Sequence, residues 1–331
     1  MGSAGEVSAA EILAPVRAEM EAVERRLRAE VEQADPRLAP LLADASLLRG
    51  KGLRPGLVFL VARATGALRP DHITLASALE MIHNATLIHD DILDDATARR
   101  NQMTLNLKYN NEMAVLIGDY IFARAFVLAH SMDSADAVAQ IGRMATAICR
   151  GEIKQVLRRF DADLDEAAYF ELIAEKTGSL YEAAGELGAR LAGAAADTIR
   201  TCAEYGAAIG VAFQIVDDCL DLVGQEAVMG KTLATDLDKG KLTLPVIRYL
   251  GAASPEVRRE LMELIGSAAV SRGDKRARFV GRLRDSGAID YAYARAVQET
   301  ERAKGLLAAL APSPARTSLE QLADFVVRRQ C

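Results

Sequence analysis

The sequence predicts a single all-α domain covering residues 1–331, and three observations support this. Half of the residues are hydrophobic but only 5% are aromatic, so the core is built mainly from Ala, Leu, Ile and Val. This composition suits close-packed helices, whereas strands favour β-branched and aromatic residues. Apolar residues recur at spacings of three and four along most of the chain. No β-hairpin, βαβ unit or glycine-rich nucleotide loop is recognisable, and no change in composition marks a domain boundary.

The helices can be assigned in chain order from these spacings. The first is amphipathic, with apolar positions Leu13, Val16, Met20, Val23, Leu27 and Val31 separated by Glu and Arg. A second is predicted over 38–48, and glycine and proline interrupt the chain between Gly50 and Pro55. A succession of buried helices follows, with predicted ranges 57–66, 71–93, 111–131, 135–158, 165–190, 196–223 and 242–250.

Two helix starts are predicted near the C-terminus. Ser254 precedes Pro255, which suits the first position of a helix. Ser318 and Gln321 fit a capping box before another apolar stretch. Arg328 and Arg329 read as a solvated tail.

Charge and cysteine content limit the classes of function. The net charge is −6, so we expect no nucleic-acid partner. The cysteines are scattered without metal-binding spacing, which indicates a reduced, cytoplasmic protein; they are Cys149, Cys202, Cys219 and Cys331. No run of about 18 apolar residues predicts a transmembrane helix, and the charged N-terminus lacks a signal-peptide core.

The motif Asp-Asp-Xaa-Xaa-Asp occurs twice, at 90–94 and at 217–221. On a helix, the first and last aspartates project from one face. Two such faces across a cavity would form an all-oxygen site for Mg²⁺ with substrate phosphates. A solvated acidic helix end is the simpler explanation for the first copy, but the second lies in an apolar stretch where unpaired carboxylates are costly. We therefore predict metal binding by Asp90, Asp91, Asp94, Asp217, Asp218 and Asp221.

Basic residues cluster near both motifs. Each cluster alone is typical of ordinary surface charge, but together they suggest two diphosphate pockets, one bridged by metal and one held by side chains. His83 lies two turns before Asp90 on nearly the same face, and its geometry fits a core histidine and a ligand equally well. The basic residues concerned are Lys51, Arg54, Arg99, Arg100, Lys231, Lys239 and Lys241.

Across most of residues 45–250 the chain resembles the trans-isoprenyl diphosphate synthases of the polyprenyl synthetase family, especially long-chain members such as octaprenyl diphosphate synthase. The order and spacing of several segments match that family. These segments are LRGKGLRP, MIHNATLIHDDILDDATARRN, VLIGDYIFARAF, GEIKQVL, EKTGSLYEAAGELGA, GVAFQIVDDCLDLVG and GKTLATDLDKGKLTLPVI.

The resemblance implies a bundle of antiparallel helices around a deep catalytic cavity, as in isoprenoid synthases. It implies a homodimeric, Mg²⁺-dependent prenyltransferase that joins isopentenyl diphosphate to an allylic diphosphate of farnesyl or geranylgeranyl type, with three metal ions when substrate is bound. Asp90, Asp94, Asp217 and Asp221 would hold the ions, and Arg99, Lys176, Lys231 and Lys241 would complete the allylic pocket. Lys51, Arg54, His83 and Arg100 would bind isopentenyl diphosphate, and Thr177 and Gln214 would face the carbocation.

Two other functions share some of these features. A class I terpene cyclase also uses the aspartate motif, but it needs no second diphosphate pocket. A non-catalytic subunit that regulates a partner synthase tends to lose aspartates, and both motifs are intact here.

Three positions depart from the family pattern. Gly52 stands in place of Arg, Asn101 in place of Gly, and Ala234 in place of a common Gly. These changes put turn geometry and substrate affinity in question, although none touches a metal ligand.

Residues before the first motif set product length in the family, where bulky aromatics close the pocket. Here Ala85 and Thr86 are small, with Ile82 a further turn away. Phe122 and Phe126 would form a deeper floor or belong to the ordinary core. We therefore expect a long-chain product for quinone side chains, which would partition into membranes. A farnesyl or geranylgeranyl product is the alternative.

Overall fold

The structure is a computed structural model that describes residues 7–45, 52–99, 101–224, 235–266 and 274–329. Within these ranges the chain is helical apart from one very short hairpin. The predicted all-α class is therefore confirmed, and the helices share one contiguous hydrophobic core.

The N-terminal region consists of short helices around one longer amphipathic helix. Helix α1 spans Ala9–Ile12 and is capped by Ser8, whose Oγ accepts from the Glu11 amide. A 3₁₀ turn over Ala14–Val16 precedes α2, Arg17–Glu32, so the predicted first helix starts later than its apolar pattern does. Pro15 lies in that turn. Helix α3 covers Ala39–Asp44 within the predicted 38–48 segment.

The central helices lie close to their predicted ranges. They are α4 Leu53–Thr65, α5 Asp71–Leu93, α6 Leu105–Lys108, α7 Asn111–His130, α8 Ala135–Leu157, α9 Glu166–Ile173, α10 Ser179–Leu191 and α11 Ala196–Val223. Helix α5 packs along α7, and α11 packs against α10. By length and composition α7 is the one described helix that is able to cross a membrane, a test that core helices of globular proteins also pass.

A hairpin that the sequence did not predict lies between α5 and α6. Strands β1, Ala98–Arg99, and β2, Gln102–Met103, pair in antiparallel fashion. They are too short for an alternating pattern to reveal them. Asn101 in the turn has φ +60°, a left-handed conformation that Asn tolerates better than most side chains. Asn can therefore serve where the family has Gly.

Gly52, the other described departure, also has left-handed backbone, with φ +62° directly before α4. A Cβ at this position would lie 2.4 Å from the Met20 side chain. The backbone and the packing of α2 both favour glycine here, so the family arginine would be strained.

The predicted helix 165–190 is interrupted by a π-helical turn over Ala174–Gly178, between α9 and α10. Such turns are frequent at functional sites because they redirect side chains. Gly151 of α8 lets this turn approach closely, since a Cβ there would lie 2.6 Å from the Lys176 amide nitrogen. The turn carries Lys176 and Thr177, two predicted site residues.

The C-terminal part is also helical. Its elements are α12 Thr235–Asp238, α13 Leu244–Ala252, α14 Pro255–Gly266, α15 Asp274–Asp285, α16 Ala288–Leu306, a 3₁₀ turn Leu307–Ala309 and α17 Pro314–Arg328. The start at Pro255 is confirmed, and the Val257 amide lies 3.4 Å from Ser254 Oγ. The predicted capping box at Ser318 is wrong, because Ser318 is buried inside α17. Ser313 caps that helix instead, followed by Pro314 at its first position.

Candidate active site

A cavity of about 280 Å³ lies between α5, α8, the α9–α10 region, α11 and the segment around Asp236 to Thr243. It receives polar side chains from each of these walls. Apolar side chains such as Leu172, Ile173 and Leu180 cover part of its surface.

The first aspartate motif forms the end of α5, and its members face two directions. His83, Thr86, Asp90 and Asp94 line the cavity, because spacings of three and four place them on one helix face. Asp91 does not line it. Its carboxylate accepts a 2.7 Å hydrogen bond from Arg99 Nε, and burial raises the pKa of Asp91 to about 6. Asp91, one of the predicted metal ligands, therefore lies outside the lining of this cavity.

The second motif lies near the end of α11 and is also divided. Asp217 and Asp218 line the cavity, whereas Asp221 lies in the core and is 1% exposed. The expected metal role of Asp221 is therefore not supported by its position. Both oxygens of Asp218 accept hydrogen bonds, from Tyr169 Oη at 2.6 Å and from Gln214 Nε2 at 2.7 Å. Burial raises the pKa of Asp218 to about 7.

Two lysines, buried Lys241 and half-buried Lys176, approach the first motif. Lys241 Nζ donates to Asp94 Oδ2 at 2.7 Å. Lys176 Nζ lies 3.7 Å from Asp90 and donates to Gln155 Oε1 at 2.8 Å, and it forms an ion pair with Glu152. Burial alone would lower the pKa of Lys176, but the charges of Asp90 and Glu152 outweigh it and raise that pKa. Lys176 therefore stays cationic beside the motif.

Aromatic rings hold two arginines, of which Arg54 lines the cavity. The Arg54 guanidinium lies 4.6 Å from the Tyr181 ring centroid, and that of Arg329 lies 3.7 Å from the Phe213 ring centroid. Arg329 also donates to the Phe213 carbonyl at 2.7 Å, and its Nη2 is 3.5 Å from Asp217. The expectation of a solvated tail is right for exposed Arg328 and wrong for Arg329, whose side chain is 7% exposed.

Thr177 and Gln214, the residues expected to face a carbocation, are both in the cavity wall. Thr177 Oγ1 donates to Gln214 Oε1 at 2.7 Å. The π-helical turn brings Thr177 next to Gln214 of α11. This hydrogen-bonded pair therefore joins two separate elements at the cavity wall.

The remaining predicted residues are divided between the cavity wall, the core and segments outside the described residues. Arg99 lines the cavity and also contacts Asp91 behind it. Lys51, Arg100, Lys231 and Ala234 lie outside the described residues.

Of the proposed length-determining residues, Thr86 lines the cavity, but Ala85 and Ile82 are fully buried and do not. Ala85 stands about 140° around the helix from Asp90, which turns it into the packed core. Phe122 and Phe126 pack against each other at 5.4 Å, also outside the lining.

Several site residues have no role among the sequence predictions. Glu152 and Gln155 of α8 hold Lys176, and Tyr169 of α9 holds Asp218. Arg159 Nη2 lies 3.7 Å from Asp94. The one available signal was the presence of Glu152 and Gln155 in the family-like segment GEIKQVL, since the contacts themselves join residues far apart in sequence.

Comparison with known sequences decides the family, because residues 36–280 match the sequence model of the polyprenyl synthetases. The chain belongs to the polyprenyl synthetase family. It is a prenyltransferase of the trans-prenyl diphosphate synthase type, and its family uses isopentenyl and allylic diphosphates as substrates. The predicted family is therefore confirmed, with a match somewhat wider than residues 45–250.

Polyprenyl synthetases similar to this chain differ in the product they are named for. This chain is 35% identical over 322 residues to a short chain isoprenyl diphosphate synthase of Methanothermobacter thermautotrophicus, and the match covers 92% of this chain and 98% of that protein. It is 33% identical over 283 residues to the octaprenyl diphosphate synthase of Escherichia coli, covering 85% and 86%. The family alone therefore does not fix the chain length.

The fold matches solved polyprenyl synthases over nearly the whole chain. The crystal structure of a polyprenyl synthase from Caulobacter crescentus, complexed with calcium and isoprenyl diphosphate, has a TM-score of 0.92 at 34% identity, covering 98% of this chain and 99% of that one. A decaprenyl diphosphate synthase from Rhodobacter capsulatus has a TM-score of 0.90 at 33% identity, covering 98% and 100%.

Polyprenyl synthetases generally use Mg²⁺, and the cavity offers donors of the right kind. Asp90, Asp94 and Asp217 present carboxylate oxygens, the hard donors that Mg²⁺ prefers. Among the described residues no three acidic, histidine or cysteine side chains are grouped closely enough to hold a metal alone. This set fits an ion that takes one or two carboxylates and completes its shell with water and substrate phosphates.

Proposed function

We propose that this protein is an Mg²⁺-dependent, all-trans polyprenyl diphosphate synthase that condenses isopentenyl diphosphate onto a farnesyl or geranylgeranyl type primer. The observation that carries the proposal is one cavity lined by two sets of groups: the carboxylates Asp90, Asp94 and Asp217, which we assign to an acidic side, and Arg54 and His83, which we assign to a second side. A class I terpene cyclase binds one diphosphate and has no need for this second side.

On the acidic side, Asp90, Asp94 and Asp217 would hold the metal, with Asp218 as a further cavity carboxylate. When bound, Mg²⁺ neutralises charge on the leaving diphosphate. Lys176, Lys241 and Arg99 add fixed positive charge at the same place. Because these cations are already held by hydrogen bonds, they need no reorganisation as the allylic carbon–oxygen bond breaks.

On the other side, Arg54 and His83 would bind the diphosphate of isopentenyl diphosphate. The family resemblance adds Lys51 and Arg100 to this pocket, and Lys231 to the allylic one. The Tyr181 ring limits the movement of Arg54, so that its guanidinium is presented in one orientation.

The reaction would proceed by ionisation of the allylic diphosphate and attack of the isopentenyl double bond on the cation. Thr177 and Gln214 would face that cation, and the apolar wall of Leu172, Ile173 and Leu180 would keep water from it. A proton is then lost to the departing diphosphate, which closes the charge balance.

Substitution of the first motif tests this assignment. The double variant Asp90→Ala, Asp94→Ala is expected to lose condensation activity, because the proposed metal site would keep only one of its three carboxylates, that of Asp217. The matched control is Asp197→Ala, which removes an exposed carboxylate at the start of α11. Isopentenyl diphosphate consumption is the measurement, and undiminished turnover in the double variant would contradict the metal assignment.

We further propose that the protein is a cytoplasmic homodimer. Helix α7 exposes Val115, Leu116 and Val127, and α8 exposes Ile153 and Leu157. Burial of such a face against a second copy would be favourable, since exposed apolar patches mark interaction surfaces. Light scattering is expected to give the mass of two chains.

A further inference from the structure

A chain of hydrogen bonds runs along the cavity wall and ends at Thr177. It begins at Tyr169 of α9, whose hydroxyl donates to Asp218 Oδ2 at 2.6 Å. The other oxygen of Asp218 accepts from Gln214 Nε2 at 2.7 Å. The Gln214 carbonyl oxygen accepts from Thr177 Oγ1, also at 2.7 Å. Tyr169 and Asp218 are buried, so water does not compete for these bonds.

The direction of this chain is fixed by the chemistry of its members. Both oxygens of Asp218 accept, Oδ2 from Tyr169 and Oδ1 from the amide NH₂ of Gln214, so that NH₂ faces the carboxyl group. The Gln214 carbonyl must then face Thr177, whose only hydroxyl proton is used in donating to it. Lone pairs of Thr177 Oγ1 remain for the cavity. If the Gln214 amide were reversed, its oxygen would face Asp218 Oδ1, and the hydrogen bond donated by Thr177 would be lost.

We propose that Tyr169 is a positioning residue of the condensation reaction, acting through Asp218 and Gln214 on Thr177. This rests on the proposed function. The hydrogen bond from Tyr169 to one oxygen of Asp218 fixes the orientation of the carboxyl group. In that orientation the other oxygen accepts from Gln214. Thr177 then presents electron density, and no free proton, to the developing allylic cation. In this assignment Asp218 orients the wall of the cavity, a task different from that of neighbouring Asp217.

A purely structural role for the Tyr169 hydroxyl makes a different prediction. In that case its removal would destabilise the fold through the weakened burial of Asp218, and any kinetic effect would be independent of Thr177. A double-mutant cycle separates the two roles, because residues that act as one unit show non-additive effects.

The cycle combines Tyr169→Phe with Thr177→Val. Tyr169→Phe is expected to lower kcat by about 10-fold or more, the size of effect that misplacement of a reacting-site group produces. KM values for both diphosphates should stay within about twofold, since neither is bound by Tyr169. In the Thr177→Val background, the same substitution should have no further effect on kcat.

Tyr205→Phe is the matched control. Tyr205 is fully buried and its hydroxyl donates to the Leu319 carbonyl at 2.7 Å, away from the cavity. Its loss should cost stability with kcat unchanged.

The proposal is overturned if the kcat effects of Tyr169→Phe and Thr177→Val multiply, or if Tyr169→Phe is no slower than Tyr205→Phe. If Tyr169→Phe does not fold by circular dichroism, Asp218→Ala replaces it in the same cycle, judged by the same criterion. Failure of the proposed function itself is recognised separately, because the wild-type protein would then not consume isopentenyl diphosphate.

Discussion

Adjacent residues Asp90 and Asp91 show how a motif distributes its carboxylates. Asp90 lies in the cavity wall near Lys176, whereas Asp91 turns to Arg99 behind it. The helical rotation between neighbouring residues, about 100°, makes this division unavoidable on a regular helix. Helix rotation does not explain Asp221, which is only about 40° around α11 from Asp217 yet lies in the core.

Asp91→Asn is therefore expected to act on stability more than on turnover. Burial holds the pKa of Asp91 at about 6, so its ionised form costs stability at pH 7. Because the asparagine amide oxygen can still accept from Arg99, the substitution should raise the free energy of unfolding at pH 7, while kcat remains close to that of the wild type. Asp90→Asn should instead lower kcat more than it changes the free energy of unfolding. Urea denaturation and steady-state kinetics on both variants provide the comparison, and an Asp91→Asn enzyme as inactive as Asp90→Asn would contradict it.

At the residue scale the two motifs could be predicted from local spacing, whereas Lys176, Thr177 and Gln214 were predicted only through the family resemblance. Glu152, Gln155 and Tyr169 could not be predicted, since each acts on a residue distant in sequence. Arg329 was misread for a related reason. A basic residue near a chain end is usually solvated, and only its packing on Phe213 shows otherwise.

Among the elements, the π-helical turn between α9 and α10 has the largest effect on the site. Periodicity predicted one helix over this region, because a single extra residue in a turn does not disturb an apolar pattern of that length. The turn depends on close approach of α8 at Gly151, where a Cβ would lie 2.6 Å from the Lys176 nitrogen.

Gly151→Ala is expected to displace this turn and with it Lys176 and Thr177. We expect a loss of about 1–3 kcal/mol of stability from overpacking and a fall in kcat of about 10-fold or more. Gly142→Ala on the same helix is the control, because a Cβ there meets no atom within 4 Å. It should be neutral or stabilising by about 0.5–1 kcal/mol. Thermal melts and kinetics that show the two variants to be alike would refute the role of the turn.

At the scale of the whole molecule, family, class and helix order followed from the sequence, whereas cavity shape did not. Shape depends on which side of α5 each residue occupies, and Thr86 rather than Ala85 reaches the cavity. We retain the proposal of a long-chain product on the small size of Thr86, with the short-chain product as the alternative.

Thr86→Phe is expected to shorten the product, because a ring at this cavity position would fill space that the growing chain needs. Thr146→Phe, an exposed position of α8, should leave product length unchanged. Chromatography of the dephosphorylated products gives the chain length. Identical product lengths in Thr86→Phe and the wild type would remove Thr86 from the set of length-determining residues.

The most direct test of the central claim is incubation of the wild-type protein with isopentenyl diphosphate, farnesyl or geranylgeranyl diphosphate and Mg²⁺, followed by sizing of the products. The cavity predicts consumption of isopentenyl diphosphate and linear all-trans polyprenyl diphosphates longer than the primer. Release of a cyclic hydrocarbon from the primer alone, with isopentenyl diphosphate left unused, would contradict it.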